Sequence, residues 1–343
     1  MKKFILIFFP AFIIYFLTFV PILNAQDSFK KVAQSGMQYL KIGVDAEMVG
    51  RGEAGIASVK GLQSIFWNPA GLADLDDKEF YFSHNSWIAD ISMDAAAVGM
   101  NFGNYGTFAL SVIWMNYGKL NATAVANSVS GSTQLGYIDE GTFSPTDMAI
   151  GLAYSRRISE QFAVGGQIRY LYEDYGQNVV VTTTGANQTV NNIMKTFSLD
   201  LGTVYYPGYK SLAFAMSIQN FSPDIRYQQE SFGTPLTFKL GISMNMLDLM
   251  ENSSKSSLLL AVDAIHPRDY SERLNMGLEY NYLGIFQVRA GYRMNYDIGN
   301  FTSGVGLRYS LSTGMQIKLD LSYMVDGTGR FSNPVQITMG LKF

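Results

Sequence analysis

The chain has 343 residues, 48% hydrophobic and only 15% charged, with 25 Lys and Arg against 28 Asp and Glu, two His and no Cys. A net charge of −3 offers no basic field for a nucleic acid. Without cysteine there is no disulfide, no thiolate nucleophile and no Cys-held zinc or iron–sulfur centre. A mean hydropathy near zero beside so many apolar residues suits neither a helical membrane protein nor an ordinary soluble one.

The chain opens on Met1-Lys2-Lys3, runs almost unbroken through apolar Phe4 to Leu23, and turns polar at Asn24-Ala25-Gln26. A basic start, an apolar run and a small residue predict a cleaved export signal over 1–25. Leu23, where a small residue is usual, departs from the pattern. An uncleaved anchor helix is the alternative, since the run is long enough to span a bilayer. Pro10, Pro21 and the polar flank oppose it, and no cysteine follows to receive a lipid.

Beyond Ala25 no apolar stretch is long enough for a membrane helix, so an integral protein would have to be a barrel. Residues alternate with period two in segments of roughly ten, the length of a membrane-spanning strand. Ile168, Tyr170 and Tyr172 alternate with Gln167, Arg169 and Glu173. Ile317, Leu319, Leu321 and Tyr323 alternate with Lys318, Asp320 and Ser322, and Val335, Ile337, Met339, Leu341 and Phe343 share one face of the last segment. A soluble sandwich also alternates. The export signal, Tyr and Phe near segment ends, and charge on the polar face favour a barrel with a wet lumen.

Strands are predicted at 79–87, 90–102, 105–116, 146–157, 161–174, 195–206, 211–221, 235–246, 257–267, 273–283, 285–295, 302–311, 314–325 and 334–343. The fold class is therefore all-β, a transmembrane antiparallel barrel of about fourteen strands over 79–343. Connections alternate between short (103–104, 158–160, 207–210, 284, 312–313) and long (117–145, 175–194, 222–234, 296–301, 326–333). Short turns face the periplasm in bacterial barrels, which places both termini there and the protein in the outer membrane of a Gram-negative cell. Segment 247–256 is long for its side, and a short helix is the one reading it offers. Val179–Thr184 with Thr189-Val190 reads as an outer hairpin.

Residues 26–78 do not alternate and carry Gly43, Gly50, Gly52, Gly55 and Gly61. Fourteen strands enclose a lumen wide enough to need a plug or to conduct water, and a compact segment ahead of the first strand is placed to be a luminal hatch. Three stretches, Gly36 to Val44, Met48 to Ala57 and Phe66-Trp-Asn-Pro-Ala-Gly-Leu-Ala73, resemble the start of the PorV/PorQ family, relatives of FadL-type long-chain fatty-acid transporters. The resemblance implies fourteen strands with a hatch, and docking or passage of a hydrophobic or extended client, including through a side opening. It further implies binding of secretion-system proteins and of client C-terminal signal domains in type IX secretion. The alternative is a FadL-like channel for hydrophobic small molecules such as long-chain fatty acids; a plain structural or porin-like role is a third.

The candidate hatch motif comprises Gly50, Arg51, Gly52 and Gly55 with Trp67, Asn68, Pro69, Ala70 and Gly71, structural or gating in role. Asn-Pro-Ala-Gly is a turn in which Pro69 sets φ and Gly71 takes the positive φ that ends it. Lumen-facing charges are predicted at Arg169, Asp200, Lys239, Asp263, Arg273, Glu279, Arg289, Arg293, Arg308, Lys318 and Asp320. Their mixed signs favour mutual pairing around the hatch, with Arg51 and Glu53 among the partners, over a selectivity ring. His84 and His266 fall on strands across the barrel from each other, so no catalytic site is expected. Asp74, Asp76 and Asp77 lack the Gly and terminal Glu of a calcium loop and read as a solvated turn. No metal, cofactor or nucleic-acid partner is expected; outer-membrane lipid is.

Overall fold

The computed structural model describes residues 34–125, 137–181, 187–227, 230–250, 255–311 and 314–343. The expected leader 1–25, the 312–313 turn and the 182–186 tip of the anticipated hairpin lie outside them.

Fourteen strands close into an antiparallel barrel. They are β1 (Lys78–Ser86), β2 (Ser92–Asn101), β3 (Thr107–Asn116), β6 (Thr146–Ser159), β7 (Phe162–Val181), β8 (Asn187–Tyr205), β9 (Ala213–Phe221), β12 (Thr237–Asn245), β13 (Ser257–Pro267), β14 (Arg273–Tyr282), β15 (Phe286–Met294), β16 (Phe301–Ser310), β17 (Gln316–Val325) and β18 (Val335–Lys342). Every segment read from alternation corresponds to one of them. The seam joins β1 to β18, with Phe82 opposite Met339 and Ser83 opposite Thr338, and the Phe343 N–H donates to the Lys78 carbonyl. A barrel must close this way because an open edge leaves backbone groups unpaired in hydrocarbon.

Alternation decides what each face touches. Along β3, Thr107, Ala109, Ser111, Ile113 and Met115 turn inward and are buried, while Phe108, Leu110 and Trp114 point out. On β17 the outward row is Leu319, Leu321, Tyr323 and Val325 and the inward row includes Asp320, Ser322 and Met324. Repeated around the cylinder, this makes a continuous apolar belt, a surface for lipid rather than water. Tyr105, Tyr154, Tyr205, Tyr209, Tyr282 and Tyr309 gather at the end bearing the short connections.

The opposite end is more elaborate than alternation foretold. The connection after β3 carries a ribbon of β4 (Leu120–Val125) and β5 (Tyr137–Phe143), and that after β9 a smaller one, β10 (Ile225–Tyr227) with β11 (Glu230–Phe232). β7 and β8 stay paired out to Val181 and Asn187, past the predicted strand ends at 174 and 195 and in line with the outer hairpin expected from Val179–Thr184 and Thr189-Val190. At the short-connection end, Met246–Met250 forms a 3-10 turn, where a short helix was the expectation.

Residues 34–77 fill the barrel. Local order there is limited to one short helix, α1 (Ala46–Gly50), and 3-10 turns at Gln38–Lys41, Leu62–Phe66 and Pro69–Asp74. Burial is nevertheless almost complete: Ala46, Met48, Ala54, Ile56, Leu62, Ile65 and Leu72 are shielded from solvent. Tyr39, Leu62, Ile65 and Leu72 pack with inward Met93, Ala109, Ile113 and Met115 of the wall in one apolar cluster. The lumen is thus a packed core shared between hatch and wall.

Candidate functional site

The hatch meets the wall first at α1. Asp45 caps it, its carboxylate accepting from the Glu47 and Met48 amides at 3.3 Å each. Burial, with the nearby Glu47 and Asp320 carboxylates, pushes the Asp45 carboxyl up to about 7. Glu47 moves the other way. Burial would raise it, but the guanidiniums of Arg289, Arg51 and Arg308 prevail and hold it well below the usual carboxylate range.

Those cations belong to one buried network. Arg289 bonds Glu279 at 2.6 Å and Asp320 at 2.7 Å, and lies 3.8 Å from Glu47. Arg308 reaches Glu47 at 2.8 Å and Asp320 at 2.9 Å, and Arg51 sits 3.5 Å from Glu47 and 3.6 Å from Glu279. Three cations therefore face three carboxylates, one of each from the hatch. Beside it, Arg293 bonds Glu53 at 2.6 Å, and Lys318 bonds Glu79 at 2.8 Å while Glu79 accepts from the Leu62 amide. Asp263 accepts from the amides of Gly55 and Ile56 at 2.8 and 3.0 Å. Arg169 pairs with Asp200 at 2.8 Å inside the wall. Glu47 and Glu79 escaped the sequence reading. Glu79 was legible as an inward position beside outward Phe80 and Phe82, whereas Glu47 joins only once α1 brings it one helical turn from Arg51.

Close approach explains the glycines. A Cβ on Gly277 would strike the Arg51 carbonyl, and one on Gly291 the Gly52 amide; Gly50 rests on Gly304. The Thr302 hydroxyl donates to the Gly50 carbonyl at 3.2 Å. These wall glycines, on β14, β15 and β16, were not singled out in the sequence because nothing local distinguishes them from other strand glycines.

The Trp67–Leu72 block does more than turn the chain. Asn68 caps the 3-10 turn through Oδ1, which accepts from the Ala70 amide, while its Nδ2 donates to the Ile56 carbonyl at 3.0 Å and to Thr203 of β8 at 3.1 Å. The Trp67 carbonyl accepts from Ser217 and Gln219 of β9. Gly165 and Gly202 leave room for Pro69 and Asn68. Gly71 does not take a positive φ, contrary to expectation. It lies within the turn, where a Cβ would collide with the Val59 carbonyl and Ser64, so glycine is needed there for space.

Toward the long-connection end a cavity of ≈ 60 Å³ opens between hatch residues Leu40–Val44, Phe66 and Trp67 and wall residues including Lys239, Ile265 and Arg273. Lys41 closes on Asp269 in the β13–β14 connection at 2.5 Å, and Ser35 donates to the same carboxylate. Burial lowers Lys41 despite that support, and the Lys41 and Ser35 bonds outweigh burial to hold Asp269 below its ordinary value. Lys239 lies over the Trp67 ring at 5.1 Å; Arg273 stacks on Tyr270 at 4.7 Å and Tyr296 at 4.1 Å.

The remaining candidates disperse. His84 sits 2.7 Å from Asp94, and His266 3.3 Å from Glu272, both on outward-facing positions of β1 and β13, six strands apart around the wall. Asp74 pairs with Arg157 and Lys60, and Asp76 with Lys342.

No protein-family model matches the chain, and no curated protein matches its sequence significantly. By structure it is similar to the toluene transporter TbuX of Ralstonia pickettii, at 13% identity and TM-score 0.58 over 88% of this chain and 98% of that one. The Pseudomonas putida toluene transporter TodX aligns at 11% identity and TM-score 0.55 over 86% and 96%. A FadL homologue from Pseudomonas aeruginosa aligns at 10% identity and TM-score 0.53 over 87% and 97%. The chain therefore shares the FadL-like barrel fold.

Proposed function

We propose that the protein is a non-enzymatic channel of the bacterial outer membrane that admits hydrophobic small molecules past its hatch. The observation that carries this reading is a barrel similar over nearly its whole length to toluene transporters, with a cavity between hatch and wall on the long-connection side. A porin would keep an open aqueous bore; here apolar and paired charged groups fill it. The long-connection end faces outward in this reading, so a solute meets the cavity before the hatch. The type IX secretion role rests on the Gly36–Ala73 resemblance alone.

Uptake into a strain lacking the gene decides the matter. Entry of a panel of radiolabelled hydrophobic solutes should slow for at least one and recover on complementation. Unchanged entry of the whole panel, together with co-isolation of secretion components from native membranes, would favour the secretion role instead.

A further inference from the structure

We propose that Ser86, His84 and Asp94 form an ester-hydrolysing site on the lipid-facing wall of the barrel, with the acyl esters of membrane lipid as substrate. The inference goes beyond the channel reading, whose non-enzymatic path lies in the lumen, and is independent of it.

Three side chains carry it. His84 Nδ1 lies 2.7 Å from Asp94 Oδ1, and His84 Nε2 lies 3.5 Å from Ser86 Oγ. A hydroxyl, an imidazole and a carboxylate in that order are the constellation that makes a serine nucleophilic, and the serine–histidine contact is often looser before substrate binds. His84 and His266 share no site, but His84 needs no second histidine. Its partners come from strand geometry. Ser86 follows two residues on along β1 and so shares its face, while Asp94 of β2 is its direct cross-strand partner, with Cβ atoms roughly 4.5–5.5 Å apart.

Place selects the substrate. β1 turns Phe80, Phe82, His84 and Ser86 outward beside Ala96 and Val98 of β2, so the triad ends an apolar row that faces hydrocarbon. Trp114, directly paired with Asp94, is outward and exposed, and a tryptophan ring settles where headgroups meet acyl chains. Lipid ester carbonyls lie at that level, and water reaches it. Ionisable groups on a lipid-facing wall are costly, so two of them joined to a hydroxyl mark a site. Beyond Ser86 the chain turns through Ala89 and Asp90 at φ 57° and 59°, backbone strain of the kind that persists beside functional sites.

The chemistry balances with water as the one co-reactant. With Nδ1–H donated to Asp94, the His84 Nε2 lone pair takes the Ser86 Oγ proton as Oγ adds to the ester carbonyl carbon. Collapse breaks the bond from acyl carbon to alkoxy oxygen, Nε2 gives its proton to that oxygen, and the lyso-lipid alcohol departs. Water then adds to the acyl-serine and passes a proton to Nε2; the Ser86 oxygen leaves, recovers that proton, and a fatty acid is released. Asp94 touches no reacting atom. It is a positioning residue that fixes the imidazole tautomer and stabilises the imidazolium.

The test follows fatty-acid release from phosphatidylethanolamine, in mixed micelles with an ester-free detergent, by the full-length protein and its variants. Heat-shifted gel migration verifies each barrel. The unmodified protein should release fatty acid, and a fluorophosphonate should form an adduct on Ser86, read by peptide mass spectrometry. Ser86→Ala and His84→Ala, purified identically, should each lose at least about a hundredfold in kcat. Asp94→Asn should lower kcat by at least about tenfold with KM unchanged. No release by the folded unmodified protein, no adduct on Ser86, or full kcat in folded Asp94→Asn would overturn the proposal. Equal release by folded Ser86→Ala, the result a contaminating hydrolase would give, would overturn it too; each of these outcomes leaves the channel reading intact.

Discussion

Arg289 faces three carboxylates and is fully buried, so its removal leaves Glu47, Glu279 and Asp320 with too little positive charge. Breaking a buried pair from one side costs about 3–5 kcal/mol. Arg289→Met should accordingly lower the midpoint of urea unfolding in lipid vesicles by that order, whereas Arg156→Met, at an exposed position of β6, should leave it unchanged. Asp45 gives a pH signature. Its folded value, about 7, lies above the ordinary carboxyl value, so between about pH 4 and 7 the folded state binds the proton more tightly. Its contribution to stability is full below that window, declines as pH rises through it and is flat above. Thermal melts of Asp45→Asn in detergent should therefore show a weaker fall across the window than those of the unmodified protein. That Arg51 and Glu53 would find luminal partners could be argued from the cost of buried charge. Which partners they take could not, because Glu53 and Arg293 are 240 residues apart and meet only through barrel closure.

Two elements of the hatch, the Gly50–Gly52 turn and the Asn68–Gly71 turn, work by pressing closely against the wall. Each lands on glycines of the wall, Gly277, Gly291 and Gly304 for the first and Gly165 and Gly202 for the second. Gly291→Val should displace the first turn without disturbing the outward face of β15, and limited proteolysis in detergent should then cut within residues 34–77 faster while the barrel strands resist. Asn68→Ala removes two donated bonds and one accepted bond, for a loss of about 1–3 kcal/mol. The same proteolysis would register it. Apart from the long outer ends of β7 and β8, the barrel strands were legible to within about two residues, since the signal that identifies a barrel strand is the one that builds it. The hatch was legible only as a region of glycines and failed alternation. Gly71 shows the limit: its sequence context suggested a conformational role, and its actual role is set by Val59 and Ser64, which local pattern does not bring near.

At the scale of the whole molecule, a filled lumen predicts electrical silence. The full-length protein in planar bilayers should show no steady conductance, and deletion of residues 35–75 should open a pore, with gel migration verifying that the barrel still forms. Equal conductance from both would mean that the hatch does not block the lumen. The amino-acid sequence by itself determined the strand number, the lipid and lumen faces and the place of the hatch ahead of β1. Those follow from a period of two imposed wherever one face meets hydrocarbon and the other does not, and a local period survives in a linear string. Only the tertiary structure decided which charge neutralises which, where glycines admit the hatch, and that Lys239 and Arg273 line one cavity. These depend on closing β1 against β18 and folding residues 34–77 inside, so they join positions up to some 290 residues apart that no periodicity relates.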